Sequence, residues 1–179
     1  MVAKDNPLED LQETYRLLFP DQEVNSLFFA SCTYRDDIVA NNAYVSQAAA
    51  STESEGLYYS RPSQTAEEIE EQVLAGGFLG LKSYLDMAPS YLPGDEIRVF
   101  DFFPPHQLEV CQQHGWIVML HIPRSKRFRD PVNLARIREI KKSYPNVKLI
   151  VAHMGRAYCQ EDVGNARRLI QEVKERNKK

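Results

Sequence analysis

The chain has 179 residues, of which 43% are hydrophobic and 26% charged, with a net charge of -3. That is enough for one good-sized domain and short for two, and the charge gives no electrostatic case for a nucleic-acid partner or an anionic membrane. No apolar run approaches membrane-spanning length, and the first residues lack the apolar core of a signal peptide. The cysteines Cys32, Cys111 and Cys159 are widely separated and contain no CxxC pair, which excludes a disulfide framework and a cysteine-based zinc knuckle and fits a reducing, cytoplasmic setting.

Asn6-Pro7 is a polar cap followed by proline, and Leu8, Leu11, Tyr15, Leu18 and Phe19 follow at helical spacing, so residues 7–19 are expected to be an amphipathic helix stopped by Pro20. Residues 24–30 read as an apolar strand with a small polar exit at Ser31-Cys32-Thr33. Residues 36–50 read as a helix with Ile38, Val39, Val45 and Ala49 on or near its inner face. The next strand is Gly56-Leu57-Tyr58-Tyr59-Ser60, closed by Arg61-Pro62, and Tyr58 and Tyr59 are assigned to packing. Thr65 and Glu68 make a capping box for a helix that presents Ile69, Val73 and Leu74 inward and ends at Gly76-Gly77.

Phe78-Leu79-Gly80-Leu81-Lys82-Ser83-Tyr84 is a third strand, and residues 86–94 form an irregular loop at its exit. A helix over residues 104–113 leads to Gly115-Trp116-Ile117-Val118-Met119-Leu120-His121, a bulky apolar run suited to a strand covered on both faces. After a basic loop, Asp130-Pro131 starts another helix, which runs to Tyr144-Pro145. Residues 147–152 are the last strand, ending in His153-Met154-Gly155-Arg156, and residues 161–176 are expected to form a final helix. Strands alternating with helix-length segments imply βα units and a parallel sheet. The expected fold is α/β, about five parallel strands wrapped by helices, with residues 1–179 as one domain.

In such folds the strand C-termini form the functional side. His121 and His153 end consecutive strands, and neighbouring strands lie about 4.8 Å apart, which puts two imidazoles within reach of one metal ion. Lys82 and Tyr84 end the strand before them, and Arg124 and Arg156 follow the two histidines. The combination suits a divalent metal, Zn2+ by ligand type, and a small substrate bearing a carboxylate or carbonyl oxygen. Plainer assignments go to His106 and His114, read as structural, to Cys159, read as a small buried residue, and to Lys126, Arg127 and Arg129, read as a solvated loop. Lys82 stands equally for a site residue or a snorkelling one.

The G-x-K strand with Lys82, the L-H strand with His121, and Tyr144-Pro145-Asn146 leading to Ala152-His153-Met154-Gly155-Arg156 together resemble the middle of an amidohydrolase-superfamily TIM barrel. The likeness is to the branch that includes aminocarboxymuconate-semialdehyde decarboxylase-like enzymes. It implies a partial barrel, with His121 as the fifth-strand metal ligand and His153 as the sixth-strand histidine that binds metal or assists the reactive water. Lys82 corresponds to the fourth-strand lysine, which in some amidohydrolases is carbamylated and bridges two metals but in this branch more often faces substrate. Tyr84, Arg124 and Arg156 are read as substrate contacts from their places at the strand exits.

The resemblance also implies an H-x-H pair and an eighth-strand aspartate that this sequence does not supply, and a closed (β/α)8 barrel takes about 200 or more residues. The expectation is therefore an incomplete, truncated barrel with two open edges. It reads as a metal-dependent hydrolase of small anionic molecules whose activity needs groups beyond these. The alternative is a noncatalytic remnant that self-associates through its strand edges. A flavodoxin-like binding module is disfavoured because no glycine-rich phosphate loop follows the first strand.

Overall fold

The structure, a computed structural model, describes residues 7–163. The chain runs α1 (Leu8–Leu18), β1 (Leu27–Phe29), α2 (Ile38–Ser51), β2 (Glu55–Tyr59), α3 (Ala66–Ala75), β3 (Gly80–Lys82), α4 (Pro105–His114), β4 (Ile117–Leu120), α5 (Pro131–Ser143), β5 (Lys148–Val151), then two one-turn segments, α6 (His153–Arg156) and α7 (Gln160–Val163). The helix expected over residues 161–176 lies largely outside the described residues.

Local chemistry sets the element boundaries. The Asp37 carboxylate accepts the amide of Ala40 at the start of α2, and Thr65 and Glu68 make a reciprocal capping box on α3. Asp130 accepts the amide of Val132, with Pro131 in the first turn of α5. Gly115 closes α4 with φ 66, a left-handed conformation that glycine adopts without the Cβ penalty. Strands are shorter than the apolar runs suggest: residues 24–30 contribute only Leu27–Phe29, and residues 78–84 only Gly80–Lys82.

All five strands are parallel and lie in the order β1-β2-β3-β4-β5. Sequential order without reversal is the order of barrel staves, and it lacks the switch point of a doubly wound sheet. The described strands do not close. The edges are β1 and β5, as expected, and each leaves one row of backbone groups without a strand partner among the described residues.

Side chains alternate between sheet faces, so the register sorts them. Tyr58, Leu81, Val118 and Leu149 lie side by side on one face, and Tyr59, Lys82, Met119 and Ile150 on the other. Leu81, Val118, Ile69, Val73, Leu108, Phe102 and Phe103 are fully buried in a continuous core. Gly80 permits the closest approach between strands: a Cβ there, at φ 155, would sit 2.0 Å from the carbonyl oxygen of Ile117.

Two inner-face assignments are corrected. Val39 is 77% exposed and Leu74 60% exposed, because Ile38, Asn42, Val45 and Ala49 form the buried stripe of α2 and Ile69 and Val73 suffice for α3. Helix α1 has no buried residue. It touches the rest through the Tyr15 and Ser26 hydroxyls and the Leu8 amide donating to Tyr44, and a groove of about 610 Å³ lies between it, α2 and β1.

Candidate functional site

The site forms where β3, β4 and β5 end. Register pairs Lys82 with Met119, so two residues further on Tyr84 stands beside His121. Their rings lie 4.3 Å apart, with the Tyr84 hydroxyl 3.3 Å from His121 Nε2. His121 is 7% exposed. Burial, then the positive charges of Lys82, His153 and Arg156, lower its pKa to about 4, which keeps the imidazole neutral and its lone pair free near pH 7.

Strand periodicity alone would place His153 on the wrong face. Met119 pairs with Ile150, so Ala152, not His153, falls level with His121. The chain corrects this by turning: His153, Met154, Gly155 and Arg156 have φ of 51, 51, 69 and 58, a left-handed turn that only glycine adopts at little cost. The turn brings the His153 ring edge-on to His121, with centroids 5.3 Å apart, and leaves His153 exposed.

The expected solvated loop is the support for that turn. Arg127 pairs with Asp162 at 3.1 Å, stacks over Tyr158 at 4.6 Å and donates to the carbonyl of Arg156, while Arg129 also faces Asp162 at 3.8 Å. Phe128 packs so closely on Gly155 that a Cβ there would approach it to 2.4 Å. Of the loop cations assigned to solvent, Arg127 loses that description, while Lys126 and Arg129 remain exposed.

Lys82 is 2% exposed. Its ammonium donates to the Ser83 carbonyl at 3.0 Å and lies over the rings of Tyr84 at 4.7 Å and Phe29 at 5.8 Å. Burial lowers its pKa to about 8, with Asp86 opposing. Lys82 is therefore buried at the strand exits and does not snorkel from an edge.

Arg156 reaches the Ile122 carbonyl at 3.5 Å and acts electrostatically on His121. Arg124 goes elsewhere: its Nε pairs with Asp130 Oδ2 at 3.0 Å. Burial opposes ionisation of Asp130, but Arg124 and the Val132 amide outweigh it and hold the carboxyl below its ordinary range. Arg124, expected to contact substrate, is thus engaged by a carboxylate of its own loop. Cys159 is exposed, not buried. His106 and His114 are structural, the first bonding the Gln64 carbonyl and the second pairing with Glu70 and stacking on Trp116.

Sequence reasoning missed Asp86 and a set of buried carboxamides. Asp86 follows the end of β3 in a 3-10 turn, Leu85–Met87, and its Oδ1 is buried without a hydrogen-bond partner. Burial raises its pKa. An acid placed four residues after Lys82 in the apolar run Tyr84-Leu85-Asp86-Met87 was the available signal. Asn42 exchanges two hydrogen bonds with the Tyr59 backbone. Gln107 donates to the Arg61 carbonyl at 2.7 Å, and Asn133 donates to the carbonyls of Pro123 and Arg127, both at 2.8 Å. Buried amides of this kind break no periodicity and leave no sequence signature beyond a polar residue on an apolar face.

A sequential parallel β/α sheet, here with a histidine pair, a buried lysine and a tyrosine at its strand exits, is the arrangement of part of a β/α barrel. The chain belongs to the family described as Amidohydrolase, whose sequence model matches residues 1–176. No curated protein and no solved structure matches it in the corresponding comparisons. The family is one of hydrolases that typically use divalent metals. Tested against such an ion, the site fits in part: His121 and His153 offer imidazole donors at the ends of adjacent strands, but a catalytic ion takes three protein ligands. Among the described residues no group of three or more His, Cys, Asp or Glu could hold one. No helix among them is long and apolar enough to cross a membrane.

Proposed function

We propose that this chain is a metal-dependent hydrolase of the amidohydrolase type, acting on a small anionic substrate. The observation that carries the reading is the His121–His153 pair, 5.3 Å apart at the ends of adjacent strands, in a chain of the Amidohydrolase family. His121 and His153 are the donors this part of the chain would offer, and Zn2+ is the ion that suits them. Such an ion, when bound, supplies a Lewis acid and lowers the pKa of its water to about 7.

The chain's own residues do the rest. Tyr84 holds the His121 ring through contact at 4.3 Å. Lys82 and Arg156 supply positive charge for a substrate anion, Lys82 from a dry setting where a charge is weakly screened. The ring faces of Phe29 and Tyr84 exclude water from the ammonium, and Arg124, through Asp130, fixes the loop that follows His121. His153, the exposed member of the pair, would orient or deprotonate a water. The aminocarboxymuconate-semialdehyde decarboxylase-like branch remains our reading of the closest chemistry, on the strength of the Lys82, His121 and His153 motifs. Three free cysteines support a reducing, cytoplasmic setting.

Elemental analysis of the purified chain by inductively coupled plasma mass spectrometry tests this, with His121→Ala and His153→Ala beside it. Near-stoichiometric metal lost in both variants is the expected result. Metal content unchanged by His121→Ala, or none after loading with Zn2+ or Mn2+, overturns it. The incomplete donor set and the bare edges of β1 and β5 favour a second reading, a noncatalytic chain that self-associates by edge pairing. Light scattering that finds a monomer at every concentration would remove that one.

A further inference from the structure

The two bare sheet edges are alike in chemistry and opposite in charge. In a parallel ladder a strand turns alternate residues toward each neighbour. The Ser26 carbonyl accepts from the Glu55 amide, so Phe28 also faces β2, and the backbone groups of Leu27 and Phe29 point away from the sheet. On β5 the amides of Lys148 and Ala152 donate to the carbonyls of Trp116 and Leu120, which turns Leu149 and Val151 outward. No proline blunts either edge, and Lys148 at the entry of β5 is the one charge in the two strands. Phe29, 41% exposed, and Ile150, 37% exposed, lie on the same face of the sheet by register. The β1 edge is also reachable. Phe28, Phe29, Ala30 and Ser31 in succession line the groove of about 610 Å³ beside α1, so open space borders the β1 backbone. Charge distinguishes the two walls: residues 7–51 hold seven acidic side chains against Arg16 and Arg35, whereas residues 131–151 hold five basic ones against Glu139. Like edges therefore repel and unlike edges attract.

We infer that a second copy of this chain seats its β5 edge in parallel on β1, with Leu149 opposite Phe28 and Ile150 opposite Phe29. In this register the outward Leu149 amide donates to the Leu27 carbonyl and the Phe29 amide donates to the Leu149 carbonyl. The faces agree as well. Leu149 shares a face with Tyr58, Leu81 and Val118, and Phe28, paired with Gly56, lies on that same face. Ile150 then covers Phe29 at the ~4.8 Å spacing of neighbouring strands, where two exposed apolar side chains lose water together. Lys148 falls level with Leu27 and, one strand on, with Glu55. The contact joins unlike edges, so it closes as a ring of copies about the strand axis or extends further. In either case the seam runs beside Ala152 and His153, level with Ser31 of the second copy. The inference rests on the edge pairing of the second reading above, but it fixes which edge meets which and holds with or without bound metal.

Disulfide cross-linking between two singly substituted chains, Phe29→Cys and Ile150→Cys, tests the pairing. Both also carry Cys159→Ser, which removes the exposed native thiol, and both are treated with chelator. The expected result is a cross-linked dimer in the mixture and none from either chain alone. A dimer from one chain alone means that like edges meet; it overturns the inference and leaves edge pairing standing. No dimer in the mixture overturns it too. Light scattering of the unsubstituted chain needs no variant to fold. The expected mass lies above the monomer and falls on dilution, with Kd rising on the order of tenfold between about 0.05 and about 0.5 M NaCl. Lys148→Glu, at an exposed position, should weaken association on the order of tenfold with an unchanged circular dichroism spectrum. A monomer at every concentration, or an association that neither salt nor Lys148→Glu alters, overturns the inference. Metal is absent throughout, so failure here is separate from failure of the metal assay.

Discussion

Lys82→Met should stabilise this protein at neutral pH. Burial moves the Lys82 pKa from its ordinary 10.5 to about 8, and at about 1.4 kcal/mol per tenfold this distance corresponds to roughly 3 kcal/mol spent on keeping the ammonium charged in the folded state. Methionine fills a similar volume between Phe29 and Tyr84 and carries no charge. It forfeits the hydrogen bond to the Ser83 carbonyl, worth about 1 kcal/mol, which leaves a net gain of about 2 kcal/mol at pH 7. Because the folded-state pKa is depressed, the cost is present in full below about pH 8 and is relieved as pH rises toward 10.5. The advantage of the variant must therefore shrink over that window. Burial also pushes Cys32 up to about 11 and Cys111 up to about 12, but both proteins share these thiols and their effects cancel in the difference. Urea unfolding followed by circular dichroism at pH 7, 9 and 10.5 reads the effect directly. A variant less stable than its parent at pH 7, or a difference that does not change with pH, would refute the assignment of Lys82 as a buried charge held at a cost.

Gly80→Ala should destabilise by about 3 kcal/mol or more in the same assay, since its Cβ would meet the Ile117 backbone oxygen at 2.0 Å and neither strand can yield without losing pairing. Asn133→Ala should cost about 2–4 kcal/mol by freeing the carbonyls of Pro123 and Arg127. It should also shift the His121 imidazole resonances in a heteronuclear NMR spectrum, because the loop after His121 loses its anchor. Asp130 is held below its ordinary 3.8, so the stability it contributes is present above that value and lost as pH falls through the lower, folded-state pKa. Asp130→Asn should therefore show a shallower acid-unfolding transition than the parent.

The helix starts were legible because they are local. Thr65 with Glu68, and Asp130 with Pro131, act through hydrogen bonds and backbone geometry within one turn, and the structure reproduces them. The alternation of elements gave a parallel sheet, but only the structure shows that the strands follow in sequence order, since spacing alone does not separate a barrel from a doubly wound sheet. The position of a side chain was legible where residue and strand end coincide, as in His121 and Lys82. Its direction was not legible where a distant partner decides it. Arg124 follows a strand exit much as Arg156 does, yet Asp130 captures one and leaves the other near His121. His153 was placed at the right strand end, but the turn that carries its ring back to His121 depends on Phe128, Arg127 and Asp162, contacts that strand periodicity does not encode.

The amide of Gln107 has a consequence for how this scaffold can change. It sits on α4 yet holds the carbonyl of Arg61, and its neighbour His106 holds that of Gln64, both in the loop that leaves β2. That loop is thus not a free module on a rigid frame. Its shape is kept by a helix that follows only after α3 and β3, so a graft of the β2 exit from another protein must bring a matching α4, and drift in α4 is felt at the mouth of the sheet. Recombination across this scaffold is best cut after α4, where the interlocked pieces travel together.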